Sequence, residues 1–158
     1  AVNAGTLSVS SVGLLFTYAA FIGFILQLPV LKAVENWTSG FVILAANLIL
    51  VGAFGSLAIS SGLPFLVLAL TGAVFADMLS GPLTQTIATE LAPAKARATY
   101  IAAFSAAGDL KDAAGPALGT TLYALASRLP WLVGIPLAIG AGAFLALVAR
   151  RHEARTKA

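Results

Sequence analysis

The sequence predicts an all-α protein, a polytopic bundle of transmembrane helices with five spans. Hydrophobic residues make up 59% of its 158 residues and charged residues only 9%, against roughly 25% charged residues in an average soluble domain. The stretch from Phe41 to Leu79 contains a single charged residue, Asp77. Lipid rather than water must therefore cover most of the outside of this chain.

The apolar runs predict five helices in order, since about 20 apolar residues cross a bilayer. The first run is stopped by PVLKAVENWTSG, the second by the turn ISSGLP, the third by the hydrophilic TELAPAKARA and the fourth by SRLPW. Each break carries proline, glycine, serine or charge where a helix should stop. The predicted spans, within one domain of residues 1–158, are 8–31, 38–59, 63–91, 96–126 and 130–150, followed by a tail at 151–158.

The basic residues predict how these spans are oriented. With five spans, the loop at 32–37, the loop at 91–98 and the C-terminal tail lie on one side of the membrane. The other side holds only Arg128. This excess of positive charge predicts a cytoplasmic C-terminus, the N-terminus of the segment on the opposite side, and a bacterial inner membrane as the location. The seven basic residues on the cytoplasmic side are Lys32, Lys95, Arg97, Arg150, Arg151, Arg155 and Lys157.

The first residues raise a question about the start of the chain. They read AVNAGTLSVS, with neither a Met start nor a basic stretch followed by an apolar core. An N-terminus outside the membrane needs an upstream segment to translocate it. We therefore expect the C-terminal piece of a longer protein, lacking at least one preceding helix, or a processed chain.

Residue counts exclude several kinds of site. The chain has no cysteine and a single histidine, His152, so we expect no disulfide, no metal site and no cofactor. His152 lies beside Arg150 and Arg151 and is interpreted as a solvated tail residue. The net charge of +3 comes from cations at helix ends, not from a nucleic-acid surface. No enzyme is expected, because Asp77 and Asp109 match no aspartyl-protease motif and no other nucleophile constellation is visible.

Asp77 and Lys111 are predicted to lie at one depth in the membrane. Counted from Ala94 in the basic loop, Asp77 lies 17 residues back and Lys111 lies 17 residues forward, which is about 25 Å of helical rise. An ionised side chain near the bilayer centre costs at least roughly 2.5 kcal/mol, so such residues normally pair or face a wet cavity. We therefore predict an ion pair between Asp77 and Lys111 on adjacent helices.

Asp109 and Asp112 share a face of the fourth predicted helix, because they are three residues apart. Lys111 lies about 200° around the helix from Asp109 and about 100° from Asp112, so we do not expect it to neutralise both. At least one of the two carboxylates must face water or meet a partner from other helices. Two interpretations of these charges stay open: a network that only fixes helix packing, or a polar path for a substrate or proton.

Glycine and proline flank the charged positions. These residues are predicted to bend the helices and to let neighbouring helices approach closely. Helices that are broken and polar in mid-membrane usually line a cavity. The last helix carries no charge, and its glycines are predicted to serve packing. The flanking residues are Gly81 and Pro82 in the third helix and Gly108, Gly115, Pro116 and Gly119 in the fourth.

Two long stretches resemble segments of one family. PVLKAVENWTSGFVIL is similar to a cytoplasmic loop between the second and third helices of a six-helix repeat, with Glu35 at its acidic position. GPLTQTIATELAPAKARATYIAAFSAAGDLKDAAGPALGTTLY is similar to a tenth-helix end, a basic loop and an eleventh helix, including a Gly-Pro-x-x-Gly run at Gly115, Pro116 and Gly119. The family is the major facilitator superfamily of secondary transporters, and the chain resembles helices eight to twelve of its twelve.

That resemblance implies a function. The chain would be the C-terminal part of a secondary active transporter that moves a small solute by alternating access, with proton coupling as one form of it. Its partner would be the missing N-terminal half, and Asp77, Asp109, Lys111 and Asp112 would lie at or beside the substrate path. The alternative is a transport-inactive relative that serves as an accessory or assembly subunit of a membrane complex.

Overall fold

The computed structural model of the protein describes residues 9–60 and 62–156, which form five long helices and contain no strand. The all-α prediction is confirmed. Ser8, the predicted start of the first span, and Lys157 in the tail lie outside the described residues. The helices are α1 (Val9–Val34), α2 (Ser39–Ile59), α3 (Leu63–Leu91), α4 (Arg97–Leu125) and α5 (Leu129–Thr156), with one 3₁₀ turn at Ala94–Ala96.

The local sequence explains most helix ends, but two helices extend beyond the prediction. Pro64 lies in the first turn of α3. A backbone N–H at this position would have no hydrogen-bond partner within the helix, so proline is tolerated there. α1 continues through Pro29 to Val34 instead of ending at residue 31. α5 continues to Thr156 instead of ending at residue 150. The segment RRHEART supplies the alanine, arginine and glutamate that favour helix, so most of the predicted tail is helical.

α2 is the central helix of the bundle. α3 and α5 both pack against α2 but scarcely touch each other, and α1 packs against α3. The buried residues between α2 and α3 form two clusters, namely Val42, Ala46, Ala76 and Leu79, and Ala53, Leu57 and Ala69. Those between α2 and α5 are Ile43, Ala146 and Ala149. Ile43 is fully buried, because small alanines on α5 leave room for its side chain.

Two glycines of α5 bring this helix close to α2. A Cβ atom added at Gly134 would lie 2.9 Å from the ring of Phe54, and one added at Gly142 would lie 2.5 Å from Cγ of Asn47. Asn47 is itself fixed, because its Nδ2 donates a hydrogen bond to the carbonyl of Ile43 at 2.8 Å. The prediction that the glycines of the last helix serve packing is therefore confirmed at these two positions.

Three of the segments predicted to share one side meet at one end of the bundle. Arg150 of α5 packs so closely on Gly40, near the start of α2, that a Cβ there would lie 2.8 Å from Arg150 Cγ. His152 Nε2 lies 2.6 Å from Oε2 of Glu90, near the end of α3. The α1–α2 connection and the ends of α3 and α5 therefore lie together, as the sequence predicts. α3 and α5 run parallel, and α4 connects them.

Four helices are long and apolar enough to cross a membrane by their length and composition, namely α1, α2, α3 and α5. The protein is therefore an integral membrane protein. α4 does not qualify, although the sequence predicts a span there. Every stretch of 18 residues within α4 includes Asp109, Lys111 and Asp112, whereas four apolar helices carry at most two charges over such a stretch.

Candidate functional site

Asp77 and Lys111 occupy equivalent positions in their helices. Fourteen residues of α3 lie on each side of Asp77, and fourteen residues of α4 lie on each side of Lys111. Each helix has 29 residues, which corresponds to about 43 Å of helical rise. Both charges are therefore placed at mid-helix, which agrees with the common depth expected from the sequence.

The predicted ion pair between Asp77 and Lys111 is not formed. Lys111 Nζ lies 3.2 Å from Oδ1 of its neighbour Asp112, and both side chains are 75% exposed. The physical reason is that α4 contacts α3 only sparsely, so equal depth does not bring the two side chains together. An ion pair between such exposed groups contributes little stability in water. The carboxylate of Asp109 is not part of this pair.

α4 presents glycines and charge on one face. Gly108, Asp112, Gly115 and Gly119 follow the spacing of a single helical stripe, which we call the α4 glycine face. Nothing lies within 4 Å of a Cβ atom added at any of these three glycines. The predicted close approach of a neighbouring helix is therefore wrong within this chain. Asp109 is exposed nearby and makes no ion pair with any residue of the described ranges.

The prolines beside the charges do not interrupt their helices. α3 continues through Pro82 and α4 through Pro116, so neither helix ends at its proline. The hydroxyl groups that follow Pro82 are paired within α3: Thr84 Oγ1 donates to the carbonyl of Gly81 at 2.9 Å and Thr86 Oγ1 to that of Pro82 at 2.9 Å. These hydroxyl groups therefore donate their hydrogen bonds to backbone carbonyls of α3 rather than to a ligand.

A groove with a volume of about 400 Å³ lies between α1 and α3 and contains Asp77. We call it the α1–α3 groove. Gln27 of α1 also lines it, so an amide and a carboxylate share one apolar cleft. Asp77 is exposed and has no ion pair with any residue that the structure describes. The six residues that form its two facing rows are Ala19, Gly23 and Gln27 on α1 and Ala73, Asp77 and Gly81 on α3.

The sequence contains a signal for this groove in the spacing of the residues that line it. The α1 residues follow one another at intervals of four, and so do the α3 residues. Residues four apart lie on the same side of a helix. Each row therefore presents two small residues and one polar side chain, and a groove forms because the small residues leave space between the helices. The spacing of the two rows can be seen in the sequence, but the packing of α1 against α3 is seen only in the structure.

No family model matches this chain, and searches of the curated proteins and of the solved structures find no match. Within the described residues, no group of three or more His, Cys, Asp or Glu side chains could hold a metal ion.

His152 is not the solvated tail residue that the sequence predicts. Its side chain is 16% exposed and bonds to Glu90, whose side chain is 53% exposed. The correction follows from the extension of α5 to Thr156, which carries His152 past the basic pair and against the end of α3. This contact joins residues 62 positions apart in the chain and could not be predicted from local spacing.

The Glu90–His152 contact should be measurable as a coupling energy. We expect the variants Glu90→Gln and His152→Ala, alone and combined, to show about 1 kcal/mol of coupling in the free energy of unfolding. The measurement is reversible denaturation of the purified protein in mixed detergent micelles. As a matched control, Glu35→Gln combined with His152→Ala should be additive. Additivity in the Glu90 cycle as well would refute the contact.

Proposed function

We propose that the chain is the C-terminal part of a secondary active transporter that moves a small solute by alternating access, with α4 lining the path. The observation that carries this proposal is that three charges lie at the middle of α4, a helix in which no residue is buried. Each mid-membrane charge costs at least roughly 2.5 kcal/mol in lipid. A water-filled path shared with a second half of the transporter removes that cost.

The direction of the helices supports a crossing by α4. The Glu90–His152 contact places the ends of α3 and α5 at the same end of the bundle, so the chain has to return to the opposite end between them. α4 makes this return over 29 residues. About 20 helical residues are enough to cross the hydrocarbon core. In a membrane, α4 is therefore proposed as a fifth span despite its charges.

The distribution of basic residues also supports five spans. With α4 across the membrane, basic residues outside the spans divide seven to one between the two sides. With α4 outside the membrane, Lys111 and Arg128 join the loop side, the basic end of α5 moves to the other side, and the division becomes five to four. Only the first arrangement shows the asymmetry that orients bacterial membrane proteins. We therefore propose a bacterial inner-membrane location with a cytoplasmic C-terminus.

The accessory-subunit alternative has one observation in its favour. The α4 glycine face offers Gly108, Gly115 and Gly119 without a neighbour. Stripes of small residues are typical contacts for a second transmembrane helix. In an accessory subunit, a helix of a partner would cover this face and the charges would pair across the interface. Water would then be excluded from α4, which gives the two proposals opposite predictions.

Reactivity of single cysteines tests the water-filled path. Because the chain has no cysteine, Gly108→Cys and Leu110→Cys each carry one thiol, at similar depth and about 200° apart around α4. In the membrane-embedded protein, a membrane-impermeant methanethiosulfonate reagent should label Gly108→Cys at least about tenfold faster than Leu110→Cys, because the reactive thiolate forms in water and not in lipid. Mass spectrometry measures both rates.

Each other outcome of this experiment excludes part of the proposal. Slow labelling at both positions contradicts a water-filled path and favours the accessory subunit. Fast labelling at both positions contradicts a fifth span. Gly108→Cys is a suitable probe because nothing lies within 4 Å of its Cβ position, and Leu110 is 68% exposed, so neither change disturbs packing within the chain.

A further inference from the structure

The α1–α3 groove has the shape of a small-molecule site. Its volume of about 400 Å³ lies within the roughly 300–1,000 Å³ usual for ligand pockets. Its walls are mainly apolar, and Asp77 is the one charged residue that lines it. A mostly apolar cleft with few polar groups is the usual form of a site that binds an organic molecule rather than a hydrated inorganic ion.

The polar groups of the groove are rich in hydrogen-bond acceptors. The Asp77 carboxylate accepts only, and it has no ion pair with the part of the chain that the structure describes. Pro82 has no N–H, so the carbonyl of Met78, four residues earlier, lacks its usual helical donor; both residues line the groove. Gln27 adds an amide that both donates and accepts. This set is matched by a cationic ligand that carries N–H donors.

We infer that the α1–α3 groove binds a small organic ammonium ion, with Asp77 as its counter-ion and the apolar walls around its hydrocarbon part. The ammonium donates to the Asp77 carboxylate and to the acceptors of Gln27 and Met78. This inference rests on the proposed transport function and names its substrate class. It involves α1 and α3 and not the α4 glycine face.

Binding of a simple amine tests the inference. The full chain, purified in detergent micelles, is titrated with benzylammonium and with the neutral benzyl alcohol, and binding is followed by saturation-transfer NMR. Benzylammonium should bind in preference to the alcohol. Asp77→Asn should weaken benzylammonium binding by at least about tenfold, because the neutral amide cannot serve as counter-ion to the ammonium. Glu35→Gln removes a carboxylate elsewhere and should leave binding unchanged.

A second variant blocks the groove without changing its charge. A Cβ at Gly23 would lie 3.8 Å from Val74 Cγ1, which is ordinary contact, so Gly23→Leu fits its first carbon and extends the rest into the groove. It should abolish benzylammonium binding. Gly140→Leu adds the same volume where nothing lies within 4 Å and should bind normally. Circular dichroism establishes that each variant remains helical.

Several results would overturn the inference. These are equal binding of the amine and the alcohol, undiminished binding by Asp77→Asn, or undiminished binding by Gly23→Leu. Complete displacement of benzylammonium by sodium ions alone would assign the site to an inorganic cation and also overturn it. Failure here is distinct from failure of the transport proposal, because the labelling of Gly108→Cys and Leu110→Cys reports on α4 and is independent of amine binding.

Discussion

Gly142→Leu is expected to lower the free energy of unfolding by about 1–3 kcal/mol, as overpacking does in other tightly packed cores. The Cβ position at Gly142 lies 2.5 Å from Cγ and 2.6 Å from Cβ of Asn47. Because Asn47 is bonded to the carbonyl of Ile43, its side chain cannot move aside without losing that bond. α5 must then separate from α2. Unfolding in mixed micelles, followed by tryptophan fluorescence, measures the loss.

Gly140→Leu is the matched control for this effect. It lies two residues away on the same helix, and nothing is within 4 Å of its Cβ position. We expect stability to be unchanged or slightly higher, since leucine favours helix over glycine by several tenths of a kcal/mol. Equal destabilisation by both variants would show that Gly142 does not mark the contact between α2 and α5.

Replacing Asp109, Lys111 and Asp112 together by leucine is expected to turn α4 into a self-sufficient span. The change should favour membrane insertion of the α4 segment by roughly 8 kcal/mol, since each mid-helix charge opposes insertion by about 2.5–3.5 kcal/mol. Residues 97–125 are placed in a host membrane protein with glycosylation sites on both sides. The native segment should insert poorly and the triple variant almost completely.

The position of a charge within α4 supplies the control for the insertion experiment. Arg97 is the first residue of α4, where a long side chain reaches the headgroup region. Arg97→Leu should therefore change insertion by less than about 1 kcal/mol. Efficient insertion of the native segment would show that the three charges do not prevent α4 from inserting alone, which contradicts this prediction.

The helices could be predicted from the sequence because apolar runs and their interruptions are local. The range predicted for α3, 63–91, is reproduced, since Gly62, Pro64 and Pro93 bound a long apolar run. The predicted C-terminal ends of α1 and α5 are both too early, for two different reasons. Pro29 was interpreted as a stop although a long helix tolerates one missing hydrogen bond. The basic end of α5 was interpreted as solvated although its residues favour helix.

The candidate site could be predicted only in part. The depth of a residue in the membrane follows from counting residues along its own helix, whereas the packing of two helices depends on residues far apart in the sequence. Counting residues placed Asp77 and Lys111 at mid-helix. It cannot show how α3 and α4 lie against each other, so the predicted partner of Lys111, Asp77, differs from the observed one, Asp112. The neighbours of the glycines are equally hard to predict from the sequence. The lack of a Cβ in glycine permits close approach, but the sequence does not identify the neighbour. The tight contacts occur at Gly40, Gly134 and Gly142 rather than along α4.

The contact between Glu90 and His152 has a consequence for the biogenesis of the protein. Translation releases α4 from the ribosome before α5. The contacts of α5 with α2 and with the end of α3 place the two ends that α4 connects at opposite ends of the bundle. α4 is not one of the four helices that are apolar enough to cross a membrane by composition, so we expect it not to insert alone. In the proposed five-span arrangement, α5 therefore determines the placement of α4, although α5 is made after it.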